Sequence, residues 1–121
     1  MKKRFMLLIL LAGIVTAAMF SARAIRAQGT PRRIEISAQR FAFDPAEITL
    51  KKGEPVVLVL TSKDVAHGLR FRELNLSLKI PKGGTAELPF TPEKTGDFVG
   101  HCAVFCGAGH GGMMLTLHVV E

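Results

Sequence analysis

The sequence predicts an all-β domain, a small antiparallel sandwich or barrel with Greek-key connections. Three observations carry that expectation. Apolar and polar residues alternate with period two in several short runs, which is the pattern of a strand with one face on a core and one in water. Turn-forming residues punctuate those runs at close intervals. No stretch of the body carries an apolar stripe at helical spacing.

The elements follow in order. Ile34 and Ile36 alternate with Glu35 and Ser37, so a first strand is expected there. Asp44-Pro45 and Lys51-Lys52-Gly53 mark turns. Val56-Val57-Leu58-Val59-Leu60 is a continuous apolar, β-branched-rich run, expected as a strand buried on both faces. Leu74, Leu76, Leu78 and Ile80 alternate with Asn75, Ser77 and Lys79. Turns follow at Pro81-Lys82-Gly83-Gly84 and between Thr91-Pro92 and Gly96-Asp97. Leu115, Leu117 and Val119 alternate with Thr116, His118 and Val120 in a last strand that leaves His118 on the solvent face. About seven strands result. Phe41, Phe43, Phe71, Phe90, Phe98, Phe105 and Met114 are expected in the core, with Phe105 also placed to shield the segment described below from water.

The chain begins differently. Lys2-Lys3-Arg4 precedes an uncharged apolar run from Phe5 to Ala22, followed by Ala22-Arg23-Ala24 and Ala27-Gln28. A basic start, an apolar stretch and small residues form an export signal, with cleavage expected after Ala24 or Ala27. The run is also long enough to span a bilayer if it is kept as an anchor helix. Either way residues 28–121 lie outside the cytoplasm, in the periplasm or on the outer face of the membrane. The expected organisation is a leader over residues 1–27, a linker over 28–33 and one domain over 34–121.

Charge and length exclude two classes. The pI is near 9.8, but the first 27 residues hold five basic residues and no acid. Residues 28–121 carry eleven basic against ten acidic residues, which gives no argument for a nucleic-acid partner. A body of that length buries one modest core and is not a two-domain enzyme.

The chemistry is concentrated in residues 100–114, Gly-His-Cys-Ala-Val-Phe-Cys-Gly-Ala-Gly-His-Gly-Gly-Met-Met. Cys102, Cys106, His110 and Met113 follow Cys-x3-Cys-x3-His-x2-Met on a Gly-rich loop before the last strand. Thiolate, imidazole and thioether together are the donor set of a copper electron-transfer site. Two thiolates four residues apart can bridge two ions, which then need a second imidazole. His67, just after the Val56–Leu60 strand, is the best candidate. His101 should point away from Cys102, because side chains alternate along an extended segment. A structural disulfide between Cys102 and Cys106 is the alternative that an exported pair invites, and a Cys2His2 zinc site is another. No constellation of a catalytic base and nucleophile is present.

On these residues the chain resembles the cupredoxins. Within them it resembles the dinuclear copper (CuA) domain of cytochrome oxidase subunit II and nitrous-oxide reductase. The resemblance covers roughly residues 34–121. It rests on Phe43-Asp44-Pro45 to Gly53, on Asp64-Val65-Ala66-His67 and on the Cys102–Met113 loop. It implies a cupredoxin-like Greek-key sandwich and a one-electron carrier. Cys102 and Cys106 would be bridging thiolates, His67 and His110 terminal imidazoles, and Met113 and the backbone carbonyl of Val104 the weak ligands. The implied partners are an exported cytochrome c or small copper protein as donor, oxidase subunits and a copper-loading chaperone. The chain departs from the family in having Val104 where Glu is common, and in having no Trp or Tyr. A mononuclear site of Cys106, His67, His110 and Met113, or a copper storage or delivery role, are the other readings.

Overall fold

The computed structural model describes residues 30–121; the expected leader lies outside them. Nine strands run in chain order: β1 (Arg32–Gln39), β2 (Ala42–Asp44), β3 (Glu47–Lys51), β4 (Val56–Ser62), β5 (His67–Phe71), β6 (Leu76–Ile80), β7 (Thr85–Phe90), β8 (Gly96–His101) and β9 (Met114–Val120). A three-residue 3-10 turn, His110–Gly112, is the only helical element among the described residues. No helix among them is long and apolar enough to cross a membrane. β1 opens at Arg32, two residues inside the stretch expected as linker.

The strands form two sheets, ordered β2-β1-β4-β7 and β3-β9-β8-β5-β6. The all-antiparallel expectation needs correcting. β1 pairs with β4 in parallel, Ile34 beside Leu58 and Ile36 beside Leu60. β3 pairs with β9 in parallel, Ile48 beside Leu117 and Leu50 beside Val119. The reason lies in the connections. β2 and β3 are separated only by Pro45-Ala46 yet belong to different sheets, so the chain leaves the first sheet before β4 returns beside β1. Parallel neighbours need such a crossover, and here the second sheet supplies it.

The core lies between the sheets. Ile36, Leu58 and Leu60 from one face it, and Leu50, Leu69, Leu115 and Leu117 from the other, each almost fully buried. Alternation therefore sorts inside from outside as expected in β1 and β9, and β3, for which no strand was expected, follows the same rule with Ile48 and Leu50 inward. In β4, Val59 is buried on the outer face but Val57 only half so. β4 is flanked by β1 and β7, whose Glu35 and Glu87 stand in register with Val59. Leu74 lies in the turn before β6 rather than in the strand.

Several apolar residues expected in the core are not there. Phe43, Phe71 and Phe98 are buried and Phe90 half-buried, but Phe41 and Phe105 are exposed, Phe105 by 79 %. Met114 is 45 % exposed. Its neighbours Met113 and Leu115 point inward, and period two forces Met114 out.

Two connections meet at one edge of this frame. Residues 63–66 join β4 to β5, and residues 102–113 join β8 to β9. β5 and β8 are neighbours, with Arg70 opposite His101. Residues that are 35 apart in sequence, the first of β5 and the one following β8, are thus brought side by side.

Candidate metal centre

His67 opens β5 and is completely buried, one of two buried polar side chains among the described residues. Cys102 follows β8, and its backbone N–H donates to the Met113 carbonyl at 3.0 Å, which ties the two ends of the loop together. Between them the chain makes a compact excursion, closed by His110 N–H donating to Gly107 O and Met113 N–H to His110 O. Gly107 has φ +140°, a conformation that L side chains rarely adopt. The loop folds back so that Cys102, Cys106 and Met113 all point into the protein, 4, 4 and 0 % exposed.

The donor atoms converge. Cys102 Sγ and Cys106 Sγ are 3.8 Å apart. His67 Nδ1 lies 4.0 Å from Cys102 Sγ, and His110 Nδ1 lies 3.7 Å from Cys106 Sγ. Met113 Sδ is 3.8 Å from Cys106 Sγ, and the Val104 carbonyl is 3.2 Å from Cys102 Sγ. The structure thus brings together all six groups expected from the sequence, one imidazole and one weaker donor near each sulfur. His101 is exposed, while its neighbour Cys102 is buried.

The spacing fits a shared ion better than a covalent bond. A disulfide needs its sulfurs about 2.05 Å apart, and both cysteines here are free. Two thiolates bound tetrahedrally to one ion at about 2.3 Å lie about 3.8 Å from each other, and a thiolate and an imidazole nitrogen about 3.6 Å. Those values match the sulfur pair and the His110 contact closely, and the His67 contact within a few tenths of an ångström. As a free thiol Cys106 is poorly disposed to ionise. Burial, and then the adjacent Cys102 thiol, push Cys106 up to about 11, so a cation in the site would have to displace the proton.

Surrounding residues orient the imidazole. Asp64 Oδ1 is 2.7 Å from His67 Nε2. The Arg40 backbone N–H and the His67 ring hold the Asp64 carboxyl down at about 2. An ionised carboxylate only accepts hydrogen bonds, so Nε2 carries the proton and Nδ1 turns its lone pair toward Cys102. The same β1–β2 connection reaches the other half of the site, where Arg40 Nε donates to the Cys106 carbonyl at 2.7 Å. Phe41 lies under the loop. A Cβ added at Gly109 would stand 2.5 Å from its ring, and one at Gly107 2.9 Å. On the opposite side, a Cβ at Gly68 would stand 3.1 Å from Val104 N and from Ala103 Cβ. The loop is thus held between Phe41 and β5, with glycine at each close approach.

Arg40, Phe41 and Gly68 were not identifiable from the sequence as parts of the site. Asp64 carried a local signal, a carboxylate three residues before an imidazole in one turn. Nothing local connects Arg40 to Cys106, which is 66 residues away. Phe105, expected in the core and as a shield of the sulfurs from water, is instead exposed. Its ring sits outside the loop, 5.7 Å from that of His110.

Residues 8–114 match the cupredoxin-like domain family. The chain is similar to cytochrome c oxidase subunit 2 of Thermus thermophilus, 28 % identical over 73 % of this chain and 65 % of that protein. It is also similar to nitrous-oxide reductase of Cupriavidus necator, 35 % identical over 64 % of this chain and 13 % of that protein. The chain therefore spans less than two thirds of the length of these relatives. Among solved structures, a chain of a heme-copper terminal oxidase dimer superposes with TM-score 0.66 at 26 % identity, over 93 % of this chain and 96 % of that one. The periplasmic domain of subunit II of the Bradyrhizobium japonicum cytochrome oxidase superposes with TM-score 0.69 over 77 % of this chain and 86 % of that one. At 19 % identity it speaks for the fold alone.

Proposed function

From the premise that the chain belongs to the cupredoxin-like domain family, we propose that it is a copper-binding electron carrier with a dinuclear, CuA-like centre. The observation that carries this reading is the pair of free, buried sulfurs 3.8 Å apart, each with its own imidazole. His67 and the Val104 carbonyl would serve the side of Cys102, and His110 and Met113 the side of Cys106. Bound there, copper would supply one-electron chemistry with charge shared through both sulfurs. The chain's own part is to keep its donors still. His67, Cys102, Cys106 and Met113 are buried in a packed interior, Asp64 holds the tautomer of His67, and Arg40 ties the Cys106 backbone to the same connection. Fixed ligands and excluded water keep the rearrangement on electron transfer small. The Met113 thioether favours copper over zinc in this donor set.

The similarity to subunit 2 of an oxidase supports placing the domain outside the cytoplasm. There it would take electrons from a cytochrome c or a small copper protein and pass them to oxidase subunits. Copper content and the EPR spectrum of one sample test the centre. Two coppers per chain with hyperfine structure from two equivalent nuclei are expected. One copper with single-nucleus splitting would replace the reading with a mononuclear site of His67, Cys106, His110 and Met113. No stable copper would overturn both.

A further inference from the structure

Beside the six donor groups lies a cleft of about 450 Å³, lined by Arg70, Arg72, His101, Cys102, Ala103 and His110. We propose that this cleft receives a carboxylate-rich face of the protein that exchanges electrons with the domain, a proposal that rests on the electron-carrier reading above.

The wall of the cleft contains no acidic residue. Arg70 and Arg72 are exposed on either side of buried Phe71. Neither makes an ion pair among the described residues, whereas Arg33 and Lys52 do, with Glu87 and Glu121. The cationic surface continues past the cleft. A second one, about 300 Å³, runs from the same two arginines over Asn75, Leu76 and Ser77, again without an acid. On the same sheet, the acids nearest the other end of β8 and β9 are engaged, Asp97 and Glu47 with His118. The body as a whole is nearly neutral, so this strip is a matter of placement rather than of net charge.

Two further features give the strip a purpose. Cys102 and His110 line the same cleft, so a partner seated in it lies against two of the proposed metal donors. Exposed apolar side chains stand on the same side of the sheet and on the loop: Val99, Met114 and Phe105, at 44, 45 and 79 %. Met114 stands opposite His101, and His101 opposite Arg70, in one cross-strand row. Apolar surface beside the unpaired guanidinium groups of Arg70 and Arg72 suits a short-lived protein contact steered by electrostatics. Guanidinium groups stay charged and pair with carboxylates bidentately, so the partner's matching face is acidic. A small anion would use one end of this surface and leave the rest uncovered.

The test uses the full-length protein in non-ionic detergent with a dye-labelled peptide of ten glutamates, read by fluorescence anisotropy. Binding should weaken about tenfold in R70Q/R72Q and fall steeply between low and physiological salt. It should not change in K51Q/K52Q, whose lysines are the last residue of β3 and the first of the turn after it. Circular dichroism melts confirm that both variants fold. Equal loss in both variants, no loss in R70Q/R72Q, or equal binding of a ten-lysine peptide would overturn the proposal. So would complete displacement by sulfate at the concentration where sulfate alone saturates the cleft, which would mark a small-anion site. Copper content is measured on the same samples, so failure of the electron-carrier reading appears as absent copper with peptide binding intact.

Discussion

Replacing Gly109 by alanine should destabilise the loop through a single contact. Gly109 has φ −88° and ψ 7°, which any residue accepts, so the backbone contributes no strain. The new Cβ would stand 2.5 Å from both Cγ and Cδ2 of Phe41, where carbon atoms in comfortable contact sit about 3.5–4.0 Å apart. Cγ is the root of the ring and cannot swing clear without a change of χ1. Either Phe41 leaves the loop or residues 107–110 lift away from it. Overpacking of this kind costs about 1–3 kcal/mol, which in a domain of this size lowers the melting temperature by about 5–15 °C. The assay is thermal unfolding of the metal-free, reduced protein by circular dichroism, run as a double-mutant cycle with F41A. In the F41A background the same substitution should cost less than about 0.5 kcal/mol. An equal cost in both backgrounds would refute the claim that Phe41 sets the loop's position.

Three other outcomes are expected. D64N should leave the fold intact but release the His67 tautomer, lowering copper affinity about 10–100-fold by competition titration; unchanged affinity would mean that Asp64 does not orient the ring. G68V should displace Ala103 and Val104, since even a bare Cβ meets them at 3.0–3.1 Å; a loss of about 1–3 kcal/mol in urea unfolding is expected, partly restored by V104A. Asp97, and then Glu47, raise His118 above its ordinary value of 6.5. The resulting stabilisation is complete below pH 6.5 and disappears as pH rises through the folded-state value. The urea midpoint of the parent should therefore fall relative to that of H118Q between pH 6 and 9, and parallel profiles would exclude the contribution.

How far the site was legible follows from where its parts sit in the chain. Cys102, Cys106, His110 and Met113 share one loop, so their spacing alone brought out a donor set. His67 needed a strand pattern around it as well. Inward and outward positions of β1 and β9 were readable because alternation acts residue by residue. The same rule, applied to Met114, would have turned it outward, since its neighbours in the strand are both core residues. Phe41 and Phe105 show the opposite limit. Apolar character favours burial, but both lie in connections, where no periodicity assigns a face.

The amino-acid sequence by itself determined the β class, the inner faces of the regular strands and the composition of the sulfur-rich loop. Each of these depends on residues within one strand or one turn. The tertiary structure decided which strands are neighbours, including the two parallel pairs, because alternation says which way a side chain points and not what it meets. It also decided the 4.0 Å approach of His67 to Cys102, the link from Arg40 to Cys106 and the cationic cleft beside His110. These join segments tens of residues apart, and they exist only once the packing of two sheets around one core has fixed where each connection emerges.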